Sequence, residues 1–179
     1  ILIPQLKDNY TYLIKDNFSN KSIIIDPAEA EPILEYINKK NLNLKSILIT
    51  HHHDDHTAGV NDILKSQNVL VYSPSHKIYG TTNLVNHNSI IDLDFIKIEV
   101  LETPGHTLDH VVYYSEKNKI LFSGDTLFRL GCGRIFEGSI EMMHKSLKKI
   151  ESIDNNTLVY CGHEYTLNNL SFLESIFPN

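Results

Sequence analysis

The sequence predicts a single α/β domain, and three of its features carry that expectation. Runs rich in β-branched and aromatic residues alternate with stretches of helical spacing along the chain. The 179 residues are 41% hydrophobic and 21% charged, the profile of an ordinary globular domain, and folding at this length buries about 70% of the unfolded surface. No internal repeat, low-complexity tract or linker marks a second unit. With 16 Lys+Arg against 22 Asp+Glu the net charge is −6 and no basic block offsets it, which argues against a nucleic-acid partner. No apolar run approaches the roughly 18 residues of a membrane span, so no membrane partner is expected. Cys132 and Cys161 form no paired framework, and the expected location is the reducing cytoplasm.

Residues 9–15 and 21–26 read as strands joined by the turn-rich Asp16-Asn17-Phe18-Ser19-Asn20, a hairpin. Pro32 near its start and the apolar Ile33, Leu34 and Ile37 predict a helix over 28–40 that buries one face. Residues 46–50 (SILIT) form a buried-strand run, and Val60, Ile63 and Leu64 predict a helix over 57–67. Further strands are expected at 69–72, 90–93, 96–103, 110–115 and 120–124, separated by turn residues such as Glu116-Lys117-Asn118. Ser139 can cap a helix whose Ile140, Met143, Leu147 and Ile150 recur on one face. A strand over 157–161 and a helix over 166–177 complete the pattern.

Chemistry concentrates after the strands. Thr50-His51-His52-His53-Asp54-Asp55-His56 sets four imidazoles and two carboxylates directly behind the run at 46–50. A His-rich surface loop can collect ions adventitiously, but three more potential ligands fall in equivalent places. His106 follows 96–103 through Pro104-Gly105, Asp125 follows 120–124, and His163 follows 157–161 through Gly162. Strand ends along one sheet edge are where sites collect.

His51, His53, Asp55, His56, His106, Asp125 and His163 are seven potential ligands, too many for one tetrahedral ion and suited to two ions sharing a carboxylate. In an extended loop His51 and His53 project to one side and can share an ion, while Asp55 and His56 lie beyond the turn and can reach another. Nitrogen and oxygen donors without thiolate favour zinc, with iron or manganese permitted. His52 and Asp54 should point away. His110, at the head of a strand, reads as a core or supporting histidine. His76, His87 and His144 read as surface residues, and Cys132 lacks the base partner a nucleophile needs.

The 50–56 segment, with His106, Asp125 and His163 at increasing distance, resembles the metallo-β-lactamase superfamily, whose fold is a four-layer αββα sandwich with the metals at one edge. Gly124-Asp125-Thr126-Leu127-Phe128, Gly131-Cys132-Gly133-Arg134-Ile135-Phe136-Glu137-Gly138 and Gly162-His163-Glu164-Tyr165-Thr166 are similar to the signatures of its glyoxalase II (hydroxyacylglutathione hydrolase) family, over nearly the whole chain. The resemblance implies hydrolysis of S-D-lactoylglutathione, or a related acylglutathione, to D-lactate and glutathione by a hydroxide bridging two ions. It assigns one ion to His51, His53 and His106, the other to Asp55, His56 and His163, and puts Asp125 between them. Asp55 and Asp125 would also orient the hydroxide. Arg134, Phe136 (usually Tyr in the family) and Tyr165 would contact the substrate, Arg134 serving its glutathionyl carboxylates.

Two departures stand out. Asp54 stands where the family more often has Trp, and the family's C-terminal helical region, which supplies further cations for glutathione, is expected to be absent or truncated from a domain over 1–179. A monomer is favoured. Two other functions compete. A persulfide dioxygenase-like mononuclear iron enzyme shares the GCGR loop, but Ile135-Phe136-Glu137-Gly138 resembles the hydrolase. A non-enzymatic zinc-carrying interaction module would leave no open position at the ions, and thiol release from a thioester would exclude it. The loop and the acidic charge argue against a β-lactamase or a nuclease.

Overall fold

The computed structural model describes residues 1–177; Pro178 and Asn179 lie outside the described residues. Its first half supplies β1 (Leu2–Gln5), β2 (Asn9–Lys15), β3 (Lys21–Ile25), α1 (Ala30–Lys39), β4 (Asn43–Leu48), α2 (Asp54–Thr57), α3 (Val60–Ser66), β5 (Leu70–Ser73) and β6 (Asn83–Leu84). Its second half supplies β7 (Ile90–Asp92), β8 (Lys97–Glu102), β9 (Val111–Ser115), β10 (Ile120–Gly124), β11 (Leu127–Phe128), β12 (Gly131–Cys132), α4 (Ile140–Glu151), β13 (Leu158–Cys161) and α5 (Thr166–Ile176). One sheet runs β1-β2-β3-β4-β5-β6 and the other β13-β10-β9-β8-β7, with β11 and β12 as a separate ribbon. In the first sheet β3, β4, β5 and β6 are parallel; in the second, β13 returns parallel to β10 beside antiparallel β7 to β10.

Strands with apolar residues on both faces need cover on both faces. In β3, Ile23 and Ile25 share a buried cluster with Val100, Val111, Tyr113 and Phe122 of the opposite sheet. Ile24 faces the other way and joins Leu13 and Ile47 against Ile33 and Ile37 of α1 and Ile63 of α3. β9 alternates likewise, turning Val112 and Tyr114 outward to Ile150 of α4. The layers are therefore helix, sheet, sheet, helix, the αββα sandwich that the resemblance implied. Packing holds α1: Glu29 makes no side-chain cap, whereas burying Ile33 and Ile37 contributes about 1.5–3 kcal/mol each. α4 has the expected cap, Ser139 Oγ accepting from the Met142 N–H at 3.2 Å.

The helix expected over 57–67 starts earlier and is broken into α2 and α3 at Ala58-Gly59. Gly59 donates its N–H to the Pro27 carbonyl at 3.0 Å, and a Cβ there would sit 2.8 Å from that oxygen. β1 was not expected. It is an edge strand containing Pro4, which such a position tolerates. No helix among the described residues is long and apolar enough to cross a membrane.

Candidate metal centre

β4 continues into Ile49-Thr50-His51, which ties the sheets together: Ile49 donates its N–H to Tyr72 O, and Val111 donates to Thr50 O, both at 2.9 Å. His53 precedes α2, so Asp55 and His56 sit on a helical turn rather than on extended chain. β8 leads through Thr103-Pro104-Gly105 to His106, and β10 ends just before Asp125. Parallel β13 pairs Cys161 with Gly124, which delivers His163 beside Asp125.

Two groups of donor atoms result. His53 Nδ1 lies 3.1 Å from both His51 Nε2 and His106 Nε2. His163 Nε2 lies 3.3 Å from His56 Nε2 and 3.3 Å from Asp55 Oδ2. Asp125 stands between the groups, with Oδ2 3.5 Å from His106 Nε2 and 3.2 Å from His163 Nε2, and Oδ1 3.4 Å from His56 Nε2. The structure thus brings together the seven residues singled out above and leaves His52 and Asp54 outside. Asp54 is exposed. His52 sets Nδ1 against Asp109 at 3.0 Å and Nε2 against Glu137 at 3.2 Å. The two nitrogens thus meet carboxylates from different loops, and the ring ties the Asp109 and Glu137 loops together.

The chemistry of the donors fits cations. His106 Nδ1 faces the Arg134 carbonyl at 2.7 Å, His56 Nδ1 faces Asp26 at 3.0 Å and His163 Nδ1 faces Asp8 at 3.0 Å. A carbonyl or carboxylate only accepts, so each of these rings donates from Nδ1 and directs Nε2, the nitrogen a cation would take in place of a proton, into the cluster. Asp125 Oδ1 is buried there with no hydrogen-bond partner among the described residues, a costly state for a carboxylate oxygen unless a cation neutralises it. This is the donor set of a divalent-metal centre.

The electrostatics of the ion-free chain follow. Burial would lower His56, but Asp26, Asp125 and Asp55 raise it to about 9. His163 is also raised, its burial outweighed by Asp125 and Asp8. Burial and the neighbouring imidazoles push His51 and His53 down. Asp125, which burial alone would raise, is brought down to about 2 by its hydrogen bond to His163 and by the charges of His56, His163 and His106.

Sequence reasoning missed three supports. Asp26 is buried with φ 52°, in the left-handed region, where it accepts from Thr50 N–H at 2.8 Å, Thr50 Oγ1 at 2.7 Å and His56 Nδ1. Asn9 Nδ2 donates to Asp55 Oδ2 at 2.9 Å, and Asp8 accepts from His163. The rule that singled out Asp125, a polar residue at the end of a strand, also points to Asp26 at the end of 21–26. His110, read as a supporting or core histidine, is fully buried and accepts the Asp125 N–H through Nε2 at 3.0 Å.

A cavity of about 450 Å³ opens over the cluster, with Asp55, His163 and Asp125 facing Arg134, Phe136 and Tyr165. Exposed Arg134 holds its guanidinium 5.8 Å from the Phe136 ring centre. That ring packs edge-on against His53 and His106, at 5.4 and 5.3 Å between ring centres. Tyr165 stacks on His163 at 4.8 Å, its phenol pushed up to about 12 by burial and by Asp8, Asp125 and Asp55. Gly133 lets this loop approach, since a Cβ there would overlap the Asp125 carbonyl and touch the His106 ring. Partial burial raises the Cys132 thiol, the wrong direction for a nucleophile.

Sandwich and cluster together define a protein of the metallo-β-lactamase type, and a family model described as the metallo-β-lactamase superfamily matches residues 6–163. The hydroxyacylglutathione hydrolase of Chromohalobacter salexigens is 41% identical over 181 residues, covering 100% of this chain and 71% of the relative. That of Hahella chejuensis is 44% identical over 179 residues, covering 98% of this chain and 69% of the relative. The chain belongs to the hydroxyacylglutathione hydrolase family of that superfamily. Similar solved structures include TTHA1623 in a di-iron-bound form, with TM-score 0.76 and 25% identity, covering 92% of this chain and 91% of that one.

Proposed function

We propose that this chain is a binuclear metal-dependent thioester hydrolase that cleaves S-D-lactoylglutathione, or a related acylglutathione, into the hydroxy acid and glutathione. The observation that carries this reading is Asp125, a buried carboxylate shared by two groups of lone-pair donors under an open cavity. The names of the relatives support the substrate class, and the di-iron form of TTHA1623 supports two ions on this fold. Zinc suits the nitrogen and oxygen donors best, with iron or manganese permitted.

When bound, two divalent ions supply a water-derived nucleophile near neutral pH and positive charge against the developing oxyanion. The chain supplies the rest. His51, His53 and His106 would hold one ion, Asp55, His56 and His163 the other, and Asp125 both. Asp125 stays ionised, so with Asp55 it would accept a hydrogen bond from the attacking water and orient it. A thiolate leaves without much protonation, which spares the site a strong general acid. Arg134 at the mouth offers a cation to a glutathionyl carboxylate, while Phe136 and Tyr165 offer ring surface. Phe136 has no hydroxyl to donate. Every residue invoked comes from one chain, which supports a monomer, and the reading takes residues 1–179 as one hydrolase domain acting in the cytoplasm. Metal content and thiol release from S-D-lactoylglutathione, measured on one sample, test the proposal. Two equivalents with hydrolysis are expected; two equivalents without thiol release would overturn the substrate reading.

A further inference from the structure

The two halves of the cluster are backed by different chemistry. Behind His56 and His163 stand the carboxylates of Asp26 and Asp8, each at 3.0 Å, and the third member, Asp55, brings its own charge and is held by Asn9 Nδ2. In the other half the partners are neutral: His51 Nδ1 meets the Thr50 hydroxyl at 3.0 Å and His106 Nδ1 the Arg134 carbonyl at 2.7 Å. We propose that the two ion positions are unequal. The position formed by Asp55, His56 and His163 binds a divalent ion more tightly than that formed by His51, His53 and His106, and Asp8 and Asp26 are the positioning residues that set the difference. This inference rests on the two-ion reading above.

The physical reasons are two. A carboxylate that accepts the Nδ1 proton makes the opposite nitrogen a stronger donor and fixes the ring's tautomer and orientation; losing such a partner costs about 10–100-fold in metal affinity. The carboxylates also act directly. Among the described residues Asp55, Asp26 and Asp8 pair within or behind the set of His56 and His163, no carboxylate but the shared Asp125 pairs with His51, His53 or His106, and Asp109 and Glu137 nearby are taken up by His52. His56 and Asp26 are 1% and 4% exposed, so salt screens their attraction for a cation little. Asp26 reaches His51 only through the intervening Thr50 hydroxyl, at 2.7 Å, which passes on part of its influence without moving its charge closer. Holding Asp26 at φ 52° costs some backbone strain, tolerated where three hydrogen bonds converge.

The test is chelator competition on the full chain loaded with zinc, followed by elemental analysis and an indicator dye. The wild type should release two equivalents in two resolved steps, and His53→Ala should retain the tighter one. Asp8→Asn keeps an acceptor for His163 but removes the charge, and its site, 33% exposed, tolerates the change. It should weaken the tighter step by about tenfold to hundredfold and leave the looser one unchanged. Asp26→Asn provides a second variant acting through His56. Two indistinguishable steps, a looser step that weakens in Asp8→Asn, or loss of the tighter step in His53→Ala would overturn the inference alone. A wild-type total of one equivalent would overturn the two-ion reading, and the inference with it.

Discussion

His110 sits beneath the cluster with Nε2 accepting from Asp125 N–H and Nδ1 facing the hydroxyls of Thr103 at 3.1 Å and Thr126 at 3.0 Å. Those partners need a neutral ring, and burial, aided by His106, His56 and His53 and opposed by Asp125, lowers its pKa to about 3 from the ordinary 6.5. Below 6.5 the unfolded chain therefore binds a proton that the folded chain refuses. The stability due to this group is full above about 6.5 and is lost as the pH falls, at about 1.4 kcal/mol per pH unit. His110→Gln keeps one acceptor and one donor but cannot titrate. At about pH 7.5 the variant should be less stable by about 1–3 kcal/mol, through lost packing and poorer hydrogen bonds. The gap should then narrow by about 2 kcal/mol as the pH falls from about 6.5 to about 5. Urea unfolding of both proteins in chelator measures the difference, in which the other histidines largely cancel. A gap that stays constant across this window would refute the neutral-ring account.

Two further outcomes are expected. Asp125→Ala should lose more metal and more turnover than His52→Ala or Asp54→Ala, because it removes the donor common to both groups; elemental analysis and thioester kinetics compare the three, and an equal loss in His52→Ala would contradict the geometry. Arg134→Ala should raise KM for S-D-lactoylglutathione by roughly tenfold to a hundredfold with kcat nearly unchanged, as expected for a charge-assisted contact of about 1.5–3 kcal/mol made equally in ground and transition states. A thioester lacking the glutathione carboxylates should be indifferent to that substitution, and equal losses on both substrates would remove Arg134 as an anchor.

The legible parts of the molecule were those with a local signature. The apolar run at 46–50 announces a buried strand, with Ile47 and Ile49 packed on one face and Leu48 on the other, and the polar residues after 46–50, 96–103, 120–124 and 157–161 mark the edge where the cluster forms. What escaped depends on partners remote in sequence. Asp8 meets His163 across 155 positions, Asn9 meets Asp55 across 46 and Asp26 meets His56 across 30, so no spacing within a motif reports them. The break between α2 and α3 likewise comes from Gly59 lying against Pro27, a tertiary contact that overrides the helical periodicity of 57–67. β1 carries Pro4 and only four residues, too few for alternation to register.

His56 and His163 come from sequence positions 107 residues apart, and the strands that deliver them lie in different sheets. The donor group they form with Asp55 therefore does not exist until β13 has docked parallel to β10. An emerging or truncated chain that ends before His163 can offer an ion only the earlier ligands, without the group that Asp8 orients. On the two-ion reading proposed above, capture of both ions would therefore act as a seal on completed folding. Because ions so bound favour only the state that holds them, they would shift the unfolding equilibrium toward molecules that have assembled the donor group and give no such gain to those that have not.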